Sequence, residues 1–358
     1  MHRALLLSLA LFLIHIQSYS QQSSETQSKP LLCAYYFDGW AGSSLEKGEW
    51  AKNAPSGLTY KLFTEYAERE PLWGWRDDDI KIMERQIDLA SKNGIDAFVF
   101  CWYWPNNKGS FDKEKADKHR LHNSLRLFLK AKNKHKMKFA VLIANHENSE
   151  IIGEENWGVL VRYLNETYFQ DEQYLRIEGK PFFSVFQGGA ADAYIPFMRQ
   201  VAMNDCGLKG LTIASCNYHV VNNNFDITSF YNETVESSKT YKELDYSTLV
   251  EKTDYYNSMN PSDIWLAPSC VVGWDKRPWF DNEDFLIYVN RKPELFYEML
   301  CHNVDYVKSR GYKHPIIMIY AWNELGEGGY LVPTKGDKRA SYLKCVKKTK
   351  KYINKIYR

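Results

Sequence analysis

Residues 94–104 read Gly-Ile-Asp-Ala-Phe-Val-Phe-Cys-Trp-Tyr-Trp, and the fold turns on them. Their middle, 95–101 (IDAFVFC), is an almost unbroken apolar run of strand length. A strand apolar on both sides belongs in a parallel sheet covered on both faces. Just upstream, residues 77–93 place Ile80, Met83, Ile87 and Ala90 on one helical face. Aspartates open that helix at its positive end, and Asn93-Gly94 closes it.

The same alternation runs outward in both directions. Residues 31–37 (LLCAYYF) form an earlier strand, separated from the first helix by a long loop, 41–74. Downstream, a helix near 119–134 leads to a strand at 138–144, one near 155–169 to 181–186, and one near 191–205 to 211–216. A weaker strand, 226–230 (DITSF), follows a short link. Helices near 241–258 and 293–310 lead to strands at 264–268 and 315–320 (PIIMIY), and a helix at 337–354 ends the series. Eight strands alternating with nearly eight helices predict a (β/α)8 (TIM) barrel in a single domain, 31–358. A doubly wound open sheet is the alternative. No G-x-G-x-x-G follows the first strand and no P-loop occurs, so nucleotide binding at the usual places lacks support.

Composition narrows the function. Lys plus Arg number 46 against 44 Asp plus Glu, a net charge of +2, which gives no electrostatic reason to bind nucleic acid or an anionic membrane. With 44% hydrophobic and 25% charged residues the chain is globular. Eleven Trp, 25 Tyr and 18 Phe are an unusual share; many fit a core, and Trp and Tyr outside one make flat, partly wet surfaces such as sugar platforms. A basic start, an apolar run over 4–16 and Ser18-Tyr19-Ser20 read as a secretory signal peptide, 1–20, followed by a polar leader, 21–30. The expected location is therefore the periplasm or beyond, with no later membrane span. Seven cysteines show no CxxC pair and no zinc spacing, so neither a metal nor another cofactor is expected. His119 and His122, inside the charged stretch KADKHRLHNS, read as a solvated face.

Barrel active sites lie at the carboxyl ends of the strands. There the chain offers Tyr35-Tyr36-Phe37-Asp38-Gly39-Trp40, Trp102-Tyr103-Trp104, Asn145-His146-Glu147, Gln187, Asn217 and Tyr231-Asn232. The seventh and eighth strands end in Gly273-Trp274-Asp275-Lys276-Arg277-Pro278-Trp279 and Ala321-Trp322-Asn323-Glu324-Leu325-Gly326-Glu327-Gly328. Two carboxylates three residues apart beyond a buried strand, Glu324 and Glu327, suit glycosidic cleavage, which needs one proton donor and one base or nucleophile. Sharing a pocket pushes their pKa values apart.

The motif A-W-N-E-x-x-E-G with Y-L-x-P close behind (330–333) resembles glycoside hydrolase family 99 and the related WbsX-like group. So do A-Y-Y-F-D-G-W (34–40), R-E-P-L-W-G-W (69–75), residues 94–104 and G-W-D-K-R-P-W (273–279), in that order. The resemblance implies a (β/α)8 barrel and endo-acting, retaining cleavage of α-mannosides by participation of the sugar 2-hydroxyl. Glu324 would draw the 2-hydroxyl proton, Glu327 would act as acid and then base, and Arg277 would bind substrate beside Asp275. Tyr36, Trp102, His146 and Tyr231 would line the pocket, and Trp40, Tyr103, Trp274, Trp322 and Asn323 complete the candidate carbohydrate-binding set. Family 99 proper carries Trp and His between its glutamates; here Leu325 and Gly326 stand there, which takes away an aromatic wall and bears on the sugar recognised. Two rival readings remain, a WbsX-like glycosyltransferase of surface polysaccharide synthesis and a non-catalytic carbohydrate-binding barrel.

Overall fold

The computed structural model describes residues 27–42, 50, 54–76, 78–216, 224–232, 242–280 and 286–358. The expected signal peptide, most of the polar leader and Asn217 lie outside the described residues.

The strands are β1 (Leu31–Tyr36), β2 (Ala97–Trp102), β3 (Lys138–Ile143), β4 (Lys180–Val185), β5 (Thr212–Cys216), β6 (Ile227–Ser229), β7 and β8 (Ile316–Tyr320). β7 comes in two halves, Leu266–Ala267 and Ser269–Val271, split at Pro268. Proline has no N–H to give to a ladder, so the strand breaks there. The first half pairs with β6 and the second with β8, while β1 pairs with both β8 and β2. Nine parallel segments among the described residues therefore form eight staves, and the barrel closes across β7.

Among the described residues, seven helices of at least eight residues surround it: α1 (Ile80–Lys92), α2 (Asn123–Lys130), α3 (Glu154–Leu164), α4 (Ile195–Asn204), α5 (Tyr246–Met259), α6 (Pro293–Ser309) and α7 (Ser341–Ile356). The expected capping holds at α1, where the Asp79 carboxylate accepts from the Lys81 N–H at 2.6 Å. The continuous helix expected over 119–134 is instead broken into Lys113–Lys118, the turn Arg120–His122 and α2. On α7, Lys344, Lys347, Lys348 and Lys351 are exposed, as expected of a solvated face, whereas Lys350 pairs with Asp96 at the foot of β2. None of the described helices is long and apolar enough to cross a membrane.

Strand parity sorts the aromatic residues into two layers. On β2, Phe98 and Phe100 pack against Phe128 of α2, in the outer layer. Cys101, one residue on, points into the barrel and meets the Tyr231 hydroxyl at 3.6 Å. On β1, Tyr36 donates outward to Gln86 of α1, whereas Tyr35 reaches across the lumen to the Phe230 carbonyl.

Candidate active site

Beyond β8 the chain turns into a hairpin in which Asn323–Glu324 pairs antiparallel with Gly329–Tyr330. Glu324 sits at its base, only 3% exposed. Its Oε1 accepts from the Tyr231 hydroxyl at 2.5 Å, while its Oε2 is buried and meets no hydrogen-bond donor among the described residues. Glu327, higher and partly buried, accepts from the Tyr320 hydroxyl. The rings of Tyr35 and Tyr320 pack on Tyr231 at 4.8 and 4.9 Å, so a tyrosine cluster floors the pair.

Burial, then the Glu327 charge, raises Glu324 well above the ordinary carboxylate range, against the Tyr231 hydrogen bond. Burial also raises Glu327, opposed by the Tyr320 hydrogen bond and by Lys276.

The hairpin's backbone is fixed from outside. The Asp275 N–H donates to the Glu327 carbonyl at 2.7 Å. Arg69, from the R-E-P-L-W-G-W motif, donates to the Leu325 carbonyl at 3.1 Å, to the Asp275 carbonyl at 3.0 Å and to its carboxylate at 2.6 Å. Arg291 donates to the Gly328 carbonyl at 2.8 Å, stacked over Tyr330 and Tyr342. Gly328 has φ +78°, and a Cβ on Gly273 would lie 2.6 Å from the Gly328 carbonyl, so the loops after β7 and β8 touch through bare backbone. Behind them lies a cleft of about 470 Å³ lined by Arg69, Asp275, Arg291, Tyr330 and Tyr342; neither glutamate lines it.

Gly326 has its own constraint. A Cβ there would fall 1.7 Å from Nε1 of Trp279. The indole, delivered by the loop after β7, thus fills the space over Gly326.

Of the sequence-predicted residues, the structure brings Tyr231, Trp274 and Asp275 to the pair: Trp274 packs on Tyr320 at 6.0 Å. Tyr103 and His146 stand together at the carboxyl ends of β2 and β3, rings 5.9 Å apart. Arg277 holds Asp275 through Nε and Nη2 at 2.8 and 2.9 Å and lies over Tyr66. With Arg69 it keeps the Asp275 carboxyl below its ordinary range despite burial. Five residues are elsewhere. Tyr36 and Trp102 face the helix layer, Trp102 stacking on His122 at 4.9 Å. Trp322 is fully buried, its indole donating to Gln86 at 2.7 Å. Trp40 is buried beneath the first loop, donating to the Asn323 carbonyl at 2.6 Å. Asn323 itself clamps that loop, accepting from the Phe37 N–H at 2.8 Å and donating to its carbonyl at 2.9 Å.

The histidines correct the expectation of a solvated face. His122 is buried and accepts from the Tyr103 N–H at 2.9 Å through Nε2; burial holds it well below its usual pKa. His119 stacks on Tyr103, pushed by burial to about 4. Both are neutral supports that orient Tyr103. Among the described residues no group of three or more His, Cys, Asp or Glu has the arrangement of a metal site.

The barrel is shared with several solved structures. The family 99 endo-α-mannosidase from Bacteroides thetaiotaomicron aligns with a TM-score of 0.63 at 15% identity, covering 90% of this chain and 97% of that one. A protein described as glycoside hydrolase-like gives 0.60 at 14%, over 90% and 94%. A family 5 glycoside hydrolase from Streptomyces cattleya gives 0.52 at 9%, over 92% and 82%. These likenesses concern the fold. No curated protein matches the sequence. The family model described as Glycosyltransferase WbsX matches residues 73–346, most of the chain, and the protein belongs to that family 99-like WbsX family.

Proposed function

We propose that the protein is an exported glycoside hydrolase that cleaves an oligo- or polysaccharide with retention, using Glu324 and Glu327. One observation carries this reading: among the described residues, Oε2 of Glu324 is a buried acceptor with no donor, at the carboxyl rim of a barrel, beside a second raised carboxyl. An unsatisfied buried acceptor costs stability, and such costs gather where a ligand completes the site. The sugar 2-hydroxyl is a suitable donor.

The first step needs Glu324 ionised and Glu327 protonated. A 2-hydroxyl donating to Oε2 stabilises the ionised Glu324. Glu324 then takes the 2-hydroxyl proton as O2 attacks C1, and Glu327 protonates the departing oxygen as the C1–O bond breaks. Water, giving its proton to Glu327, next opens the three-membered ring at C1, and O2 regains its proton from Glu324. Substrate retention of configuration follows from two inversions at C1. An α-mannoside-like linkage is the first candidate, from the likeness to the Bacteroides enzyme.

The family's description as a glycosyltransferase gives the second reading. A screen of defined oligosaccharides and of plant and microbial polysaccharides for new reducing ends, run beside a panel of nucleotide-sugars, separates the two. Release of reducing ends without a nucleotide-sugar supports hydrolysis; transfer that requires one overturns it.

A further inference from the structure

We infer that the outer face of the first loop carries a second carbohydrate site, an aromatic platform for a glycan chain running beyond the catalytic pair; this rests on the hydrolase reading and extends it to a polymeric substrate. Five aromatic side chains among the described residues are exposed, and four of them, Trp50, Tyr60, Phe63 and Phe280, belong to one wall of the barrel mouth. The Trp50 ring meets Tyr60 at 5.5 Å and Phe63 at 5.7 Å, yet the three remain 37%, 60% and 45% exposed. Rings that have found each other without leaving water are poor core and good ligand surface.

The wall is continuous with the catalytic hairpin. The Thr59 hydroxyl donates to the Pro278 carbonyl at 2.8 Å, and Lys61 donates to the Phe280 carbonyl at 2.8 Å. Tyr66 lies under Arg277, and Arg69 grips Asp275. These links zip residues 59–69 to 275–280, and the same segment presses Trp279 onto Gly326. A chain cleaved beside Gly326 thus has an aromatic surface one loop away on the same rim. Pyranose rings stack their C–H faces on such rings, whereas a short substrate does not reach that far.

The test uses the full-length chain carrying Glu327→Gln, so that polymer is bound and not cut. Mobility in native gels containing each polysaccharide of the screen is compared with that of the same chain bearing Trp50→Ala, Tyr60→Ala and Phe63→Ala. Tyr60→Phe alone, which keeps the ring, is the control for folding. With each ring worth about 2- to 10-fold in affinity, the triple variant loses most retardation in at least one polymer, and Tyr60→Phe retains it. In the catalytically intact background, kcat/KM on polymer relative to the shortest cleaved oligosaccharide falls by about tenfold or more. No retardation by any polymer, or equal retardation of parent and triple variant, overturns the platform even where hydrolysis is found. Retardation without hydrolysis keeps the platform and removes the hydrolase reading. A parent that is dimeric in light scattering and a triple variant that is monomeric would make the patch a self-interface and overturn the proposal.

Discussion

Gly326 lies between the two glutamates, and the structure states what a methyl group there would meet. The Cβ of Gly326→Ala would sit 1.7 Å from Nε1 and 2.0 Å from Cε2 of Trp279. Its φ lies outside the left-handed region, so the backbone itself tolerates alanine. The whole penalty is therefore steric, and overpacking of this kind costs roughly 1–3 kcal/mol. Trp279→Ala removes a partly buried ring packed on Phe37 at 5.4 Å and costs about 2 kcal/mol, less than a fully buried tryptophan. Once the indole is gone, the alanine methyl has room. Its residual effect is then the reduced freedom of the unfolded chain, worth about 0.4–1 kcal/mol in favour of folding. The double variant is thus predicted to be as stable as Trp279→Ala or slightly more so, a coupling of about 1–3 kcal/mol. Urea denaturation of all four proteins at one pH measures it. Additive losses would refute the claim that this indole fills the space over Gly326.

Four further expectations follow. The folded pKa of Glu324 is raised above the unfolded value of about 4.5, so the folded state holds that proton longer and stability falls as pH rises from the unfolded towards the folded pKa. Glu324→Gln, which does not titrate, should therefore gain Tm over the parent as pH rises above about 4.5 and show no such growing gain below pH 4. Arg69→Met should lower kcat by roughly 10²-fold, since a displacement of about 1 Å in the catalytic group is enough, and Arg69→Lys should recover only part because one ammonium cannot span both carbonyls and the carboxylate. Arg277→Lys should weaken turnover with Tm within about 4 °C of the parent, because Asp275 keeps Arg69. Hydrolysis should survive EDTA; loss restored by one divalent ion would contradict the proton-transfer assignment.

The barrel was legible because its strands are buried on both faces and read as unbroken apolar runs. That same property hid which way each residue points. Tyr35 and Tyr36 are equally fit for the lumen, and with no polar alternation to mark the faces, parity was unreadable; Tyr36 and Trp102 went to the helix layer as a result. The glutamate pair was legible from spacing after a buried strand. Trp322 and Asn323 beside it were not, since the hairpin's turn decides that one plugs onto α1 and the other clamps Phe37. Arg69 stands 206 residues from Asp275, a contact no local pattern announces. His122 was masked by charged neighbours that point outward while it turns in to hold Tyr103.

The most direct test of the central claim compares leaving groups. Turnover of a natural oligosaccharide and of an activated aryl glycoside is measured for the parent, Glu324→Gln and Glu327→Gln. General acid catalysis is worth roughly 10²–10⁴-fold, so Glu327→Gln should lose that much on the oligosaccharide and far less in the first step on the aryl glycoside. Glu324→Gln should fail on both, and so should a substrate lacking its 2-hydroxyl. A sugar trapped covalently on Glu324 would contradict 2-hydroxyl participation, and full activity in both glutamine variants would contradict the site itself.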